Sequence, residues 1–235
     1  QCPECVSGAS AQVRQPTTVA GGAIIAKPAV TYSLIGINVA IYLLQMLKGV
    51  NVVAGDWGMW PVGIAENGEW WRLGTAAFLH GSFLHVAFNM YVLFALGPTL
   101  ERILGHYRFL LLYLLAAIGG GVASYAFSDM RTVSVGASGA IFGLMGALVV
   151  AGRRLKYDIT QVLVLLGINM VIGFISPGVD WRAHLGGLVT GALVAVVMVF
   201  PSRRYRTVVQ VAGILGILVI LGAITMWRTA QIHEL

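Results

Sequence analysis

Polar residues along this chain fall in short clusters, and seven stretches free of Asp, Glu, Lys and Arg run between them. They extend from Pro28 to Leu47, Leu73 to Leu100, Phe109 to Ser128, Thr132 to Gly152, Ile159 to Val179, Ala183 to Ser202 and Thr207 to Trp227. A hydrocarbon core about 30 Å thick takes about 20 helical residues at 1.5 Å rise each, and every stretch reaches that length. Barrel strands would show period-2 alternation over about 10 residues, which these runs lack. The pattern predicts an all-α membrane protein with seven transmembrane helices. No internal repeat is visible, where an inverted repeat would have pointed to a transporter.

Composition sharpens this picture. Of 235 residues 58% are apolar and 10% charged, against about 25% charged in soluble domains, so a soluble globule is excluded. The 15 basic residues outnumber the 9 acidic ones and give a net charge of +6. They sit in clusters between apolar runs with no aromatic-interleaved basic face, and nucleic acid is not an expected partner. With the N-terminus inside, the inner connections collect Arg14, Lys27, Arg102, Arg108, Arg153, Arg154, Lys156, Arg203, Arg204 and Arg206. The outer ones hold only Lys48, Arg72, Arg131, Arg182 and Arg228. The positive-inside bias therefore predicts a cytoplasmic N-terminus and an outer C-terminus, and a bacterial cell membrane is the expected setting. The longest connection, Lys48 to Arg72, carries Trp57, Trp60, Trp70 and Trp71, and is expected to lie on the outer leaflet as an aromatic anchor.

The segment 1–27 reads as an N-terminal cytoplasmic piece. Its Cys2-Pro3-Glu4-Cys5 run is half of a zinc site. In a chain that starts with Gln, it suggests the remnant of a zinc-binding module. In the membrane part no metal site is expected. His80 and His85 would stand about 140° apart on a continuous helix, and neither a His-Glu-x-x-His nor a paired-aspartate pattern occurs.

Polar side chains inside hydrocarbon are costly, so each is a functional candidate. Those of interest are His80, His85 and Asn89 in the second run, Ser138 in the fourth and His184 in the sixth. All belong to even-numbered runs and lie toward the same outer surface. Ser138 sits in Gly136-Ala137-Ser138-Gly139. A serine among glycines usually serves close helix packing, as does the stripe Gly139, Gly143 and Gly146. The same glycines would also bare backbone N–H groups at a helix start, where negative charge is favoured. The run is not the Gly-x-Ser-x-Gly elbow, because Ala140 fills the second glycine position. His184, Gly187 and Gly191 share one helix face. That Gly-xxx-Gly contact draws a neighbouring helix close and carries His184 into it. His85 and Asn89, four apart, also share a face. Ser138 and His184 at matching depth point to a Ser–His pair.

Five motifs now stand in order: Trp71-Arg72, His85-x-x-x-Asn89, Gly97-x-x-x-Glu101-x-x-x-Gly105, Gly136-x-Ser138-Gly139 and Ala183-His184-x-x-Gly187-x-x-x-Gly191. Together, over about Trp70 to Phe200, they resemble the rhomboid family of intramembrane serine proteases. The resemblance implies a six-helix catalytic core over 28–206 and a seventh transmembrane helix with an outer tail over 207–235. It implies Ser138 as nucleophile, His184 as general base, and an oxyanion hole from His85, Asn89 and the Ser138 backbone N–H. Trp71, Arg72, Glu101, Gly136, Gly187 and Gly191 take structural or positioning roles. No cofactor is implied, and the partners are the lipid bilayer and the transmembrane segments of other proteins, cut near their outer end. Phe142 stands where many relatives have a Tyr stacked on the base histidine; a Phe ring can still stack, without the hydroxyl. The loop from Ser176 to Trp181, with Pro177-Gly178, is expected to form a hinged cover. The rival reading is a catalytically silent chaperone or client-binding protein of the same fold.

Overall fold

The computed structural model describes residues 16–176 and 178–234. Cys2 and Cys5, and with them the zinc-module reading, lie outside the described residues, as do Arg14 and Pro177. The described chain is helical throughout, with two isolated β-bridges, Thr17 to Ala23 and Met59 to Ser134. In order the helices are α1 (Ala29–Lys48), α2 (Val50–Trp57), α3 (Pro61–Asn67), α4 (Arg72–Thr75), a 3-10 turn (Ala76–Phe78), α5 (Phe83–Leu104), α6 (His106–Phe127), α7 (Ser138–Leu155), α8 (Thr160–Ile175), α9 (Trp181–Val199) and α10 (Arg206–His233).

Among the described residues, α1, α5, α6, α7, α9 and α10 are long and apolar enough to cross a membrane, as a multi-pass integral membrane protein requires. The fifth predicted run differs. α8 has 16 residues, a rise of about 24 Å against the about 30 Å of a hydrocarbon core. The apolar run 159–179 overstates it because the backbone turns extended at Ser176 and Gly178 adopts φ +87°, a left-handed conformation that favours glycine.

The second run also differs, for a physical reason. Leu73 to Leu100 was expected as one helix, but the chain opens between the 3-10 turn and α5. Buried Gln45 of α1 takes over both backbone groups of His80: His80 N donates to Gln45 Oε1 at 2.9 Å, and Gln45 Nε2 donates to His80 O at 3.2 Å. Those groups no longer need a helical ladder. Ser82 then restarts the helix as an N-cap, its Oγ accepting from His85 N at 3.2 Å, the role Ser favours. α5 continues to Leu104, past the first charges, because Glu101 is buried rather than solvated.

Glu101 fastens α5 to the start of α1. Its oxygens accept from Val30 N (2.9 Å), Thr31 N (2.8 Å) and Thr31 Oγ1 (2.6 Å), and one lies 2.5 Å from His106 Nδ1. Hydrogen bonds to a charged group contribute about 1.5–3 kcal/mol each, and a carboxylate at a helix N-terminus gains from the dipole. At the opposite end of α5, the connection with four tryptophans folds into α2 and α3. Buried Arg72 holds it, donating to Gly55 O (2.8 Å), Gly58 O (2.9 Å) and Glu69 Oε2 (2.6 Å).

The core lies where α6, α7 and α9 meet. Small residues bring the backbones together there: a Cβ at Gly187 would land on the Gly139 carbonyl, and one at Gly191 on the backbone of Gly143. Packing this close stabilises helix pairs in a membrane through van der Waals contact. It also fixes the first turns of α7 and α9 side by side.

Candidate active site

Ser138 is the first residue of α7. It follows Gly136, whose φ of +140° and whose contact with the His85 ring both exclude a side chain there. Gly136 N donates to Ala76 O at 2.9 Å, which ties the turn to the broken helix before α5. His184 lies in the first turn of α9. Asp180 caps that turn: its Oδ1 accepts from Arg182 N and Ala183 N, each at 3.2 Å. Its other oxygen accepts from Ser124 Oγ on α6.

These two helix starts bring Ser138 Oγ to 2.8 Å from His184 Nε2. That is ordinary hydrogen-bond length, and the hydroxyl can donate to the ring nitrogen. For Nε2 to accept, Nδ1 must carry the other proton. Nδ1 is buried with no hydrogen-bond partner among the described residues, so no carboxylate orients the ring. Packing does so instead. The Phe142 ring, one turn along α7 from Ser138, stacks on the imidazole at 4.1 Å between centroids and 12° between planes. On the other side α8 offers Gly173, where a Cβ would stand 3.2 Å from Nδ1. The His184 side is dry, at 6% exposure, whereas Ser138 is half-buried.

A cavity of about 570 Å³ opens over the pair, and His85, Asn89, Ser138, Phe142 and His184 all line it. Asn89 is buried and donates through Nδ2 to His85 O at 3.0 Å, so the amide keeps a second N–H for another acceptor. Trp71, Arg72 and Glu101 lie outside the cavity lining: Trp71 is half exposed, while Arg72 and Glu101 hold the loop and helix contacts described above. Gly187 and Gly191 sit in the α7–α9 crossing. Gly178, Val179 and Asp180 line the cavity; Pro177 of the expected cover lies outside the described residues.

On one continuous helix His80 and His85 would stand about 140° apart, but the break before α5 lets the two rings meet edge to face at 5.1 Å. Among the described residues no third His, Cys, Asp or Glu joins them. Two cavity residues escaped the sequence reading. Asp180 could have been found as an acidic N-cap immediately before the helix bearing His184. Asn169 faces the cavity from α8, and its polar amide inside an apolar run was the available signal.

The family description that matches this chain is the Rhomboid domain, over residues 67–201. Among curated relatives, rhomboid protease GluP of Bacillus subtilis is 36% identical over 184 residues, covering 75% of this chain and 36% of that one. The Bacillus subtilis protein YdcA is 35% identical over 189 residues, covering 75% of this chain and 92% of that one. Rhomboid-type serine protease 2 of Emericella nidulans is 34% identical over 142 residues, covering 57% of this chain and 28% of that one. The chain thus spans little over a third of GluP and nearly all of YdcA. It belongs to the rhomboid family of serine proteases.

Proposed function

We propose that this chain is an intramembrane endopeptidase that cuts transmembrane segments of other membrane proteins near their outer end, with Ser138 and His184 as its dyad. The observation that carries the reading is the 2.8 Å Ser138–His184 hydrogen bond beneath a stacked Phe142 ring, at the floor of an open cavity. A serine hydroxyl is a weak nucleophile until a base within hydrogen-bond reach takes its proton. His184 Nε2 accepts that proton as Oγ attacks the scissile carbonyl, then returns it to the leaving amine. A water molecule, deprotonated by the same nitrogen, releases the acyl group from Ser138.

The oxyanion that forms during attack would sit against the Ser138 backbone N–H at the start of α7, the His85 ring and the free N–H of Asn89. Donors aimed at developing charge in a site of low dielectric are worth about 10²–10³ in rate each. In this reading the protein makes seven crossings, with α8 a short one, its N-terminus cytoplasmic and its C-terminus outside. The dyad then lies near the outer surface, where water reaches it. A substrate helix hides its carbonyls in its own ladder, so segments with helix breakers are favoured: Gly costs a helix about 1 kcal/mol and Pro about 3.

The test is labelling with a fluorophosphonate, together with cleavage of a model transmembrane substrate by the purified protein. Wild type should be tagged at Ser138 and cut the substrate. Ser138→Ala should show no tag and lose at least about 10³-fold in rate. Labelling or cleavage that persists in Ser138→Ala would remove the dyad, and a folded wild type that neither labels nor cuts would leave only client binding.

A further inference from the structure

A second cavity, of about 260 Å³, lies on the far side of α9 from the dyad, between α6, α9 and α10. Its lining is almost wholly apolar: Val122 and Phe127 of α6 face Leu185 and Val189 of α9, with Ile220 and Ile224 of α10 closing it. One end differs. There Arg182, which lines the dyad cavity as well as this groove, lies with its guanidinium 5.0 Å above the ring of Trp181, another groove residue. Among the described residues no carboxylate pairs with this guanidinium. Thus the groove ends in a partly buried cation beside an indole.

We propose that this groove holds a single anionic phospholipid, its phosphate on Arg182 and one acyl chain between α6, α9 and α10. Two observations select that occupant. First, the groove follows α9 from Trp181 to Leu193, a rise of about 18 Å, which is close to the roughly 15 Å depth of one leaflet. Second, the charge stands at the end of the groove where α9 begins, and the groove descends from it, as a headgroup and its chain require. Arg binds phosphate through a planar fork of donors, and Trp favours the headgroup level. The site requires only that the chain sits in a bilayer, so it stands whether or not the Ser138–His184 dyad is a protease.

The test is native mass spectrometry of the full chain in detergent, titrated with phosphatidylglycerol or phosphatidylcholine. Wild type should retain one phosphatidylglycerol at least about tenfold more tightly than phosphatidylcholine. Arg182→Gln should erase that preference. Val189→Trp should weaken both lipids about tenfold, because Val189 is half exposed and a larger ring there fills the groove without entering the core. Ile220→Trp, from the opposite wall, serves the same purpose if Val189→Trp does not fold. Glycerol phosphate, a headgroup without chains, should not compete. Equal retention of the two lipids, an unaltered preference in Arg182→Gln, retention unchanged by the groove-filling variants, or competition by glycerol phosphate would each overturn the proposal. The first three outcomes would mean annular lipid only, and the last a simple anion site.

Discussion

The dyad cavity has two unlike walls. On one side α7 and α9 cross with glycine against glycine, so close that a Cβ at Gly187 would strike the carbonyl of Gly139 and one at Gly191 the backbone of Gly143. On the other side stands α8, whose only buried residue is Gly173 and whose Val164, Ile168, Val171 and Phe174 are exposed to the surroundings. Ser138 and His184 both belong to the first wall. The proposed dyad, with its two atoms at 2.8 Å, is thereby mounted on the contact with the least room for adjustment. A wall with so little burial belongs to the low end of local stability, and α8 contributes shape to the cavity rather than reacting groups. Asn169 and Ile172 are its lining residues.

The largest expected effect tests whether the close-packed wall carries the reaction. His184→Ala should lower kcat/KM on a model transmembrane substrate by about 10²–10⁴, the usual contribution of a positioned general base. A loss under tenfold would break the assignment of chemistry to the α7–α9 crossing. A smaller pair of effects separates the walls by stability. Gly187→Ala drives a methyl into the Gly139 carbonyl and should destabilise by about 1–3 kcal/mol, the cost of overpacking. Gly167→Ala on α8 meets nothing within 4 Å and should be neutral or stabilise by up to about 1 kcal/mol, since alanine suits a helix interior better. Thermal unfolding in one detergent compares them directly. Equal shifts would mean the two walls are equally packed after all.

The positions of the long helices were legible because hydrocarbon allows few polar residues, so run ends are marked by charge. Where a charge is internally satisfied that signal fails, which is why α5 runs on through Glu101 and Arg102 when the run Leu73 to Leu100 predicted an earlier stop. The opening at Leu79 to Ser82 was invisible for a related reason. Its cause, Gln45 bonding to the backbone of His80, lies 35 residues away in sequence. The meeting of His80 and His85 follows from that break and could not be read from spacing alone. The pairing of Ser138 with His184 in space was legible because each stood beside glycines at helical spacing. Asp180 belonged to no apolar run, and its double duty, capping α9 and accepting from Ser124, exists only in the fold.

The smallest effect asks which wall orients the imidazole. Phe142 on α7 stacks on one face of His184, while Gly173 of α8 lies near Nδ1, and no hydrogen bond to Nδ1 competes with either. An aromatic pair contributes about 0.5–1.5 kcal/mol beyond its buried area, which corresponds to roughly a two- to tenfold change in rate. Phe142→Leu keeps an apolar side chain of most of the volume but removes the ring face. It should lower kcat by that factor, and Phe142→Tyr, which keeps the ring, should stay near the wild-type rate. Because Phe142 also lines the cavity, the split matters. A change confined to KM would make it a substrate contact, whereas a fall in kcat restored by Tyr would make it a positioning residue for His184. If Leu, Tyr and Phe give the same kcat while Gly173→Ala lowers it, the imidazole is oriented from the exposed wall, and the division of labour between α7 and α8 is the reverse of the one the packing suggests.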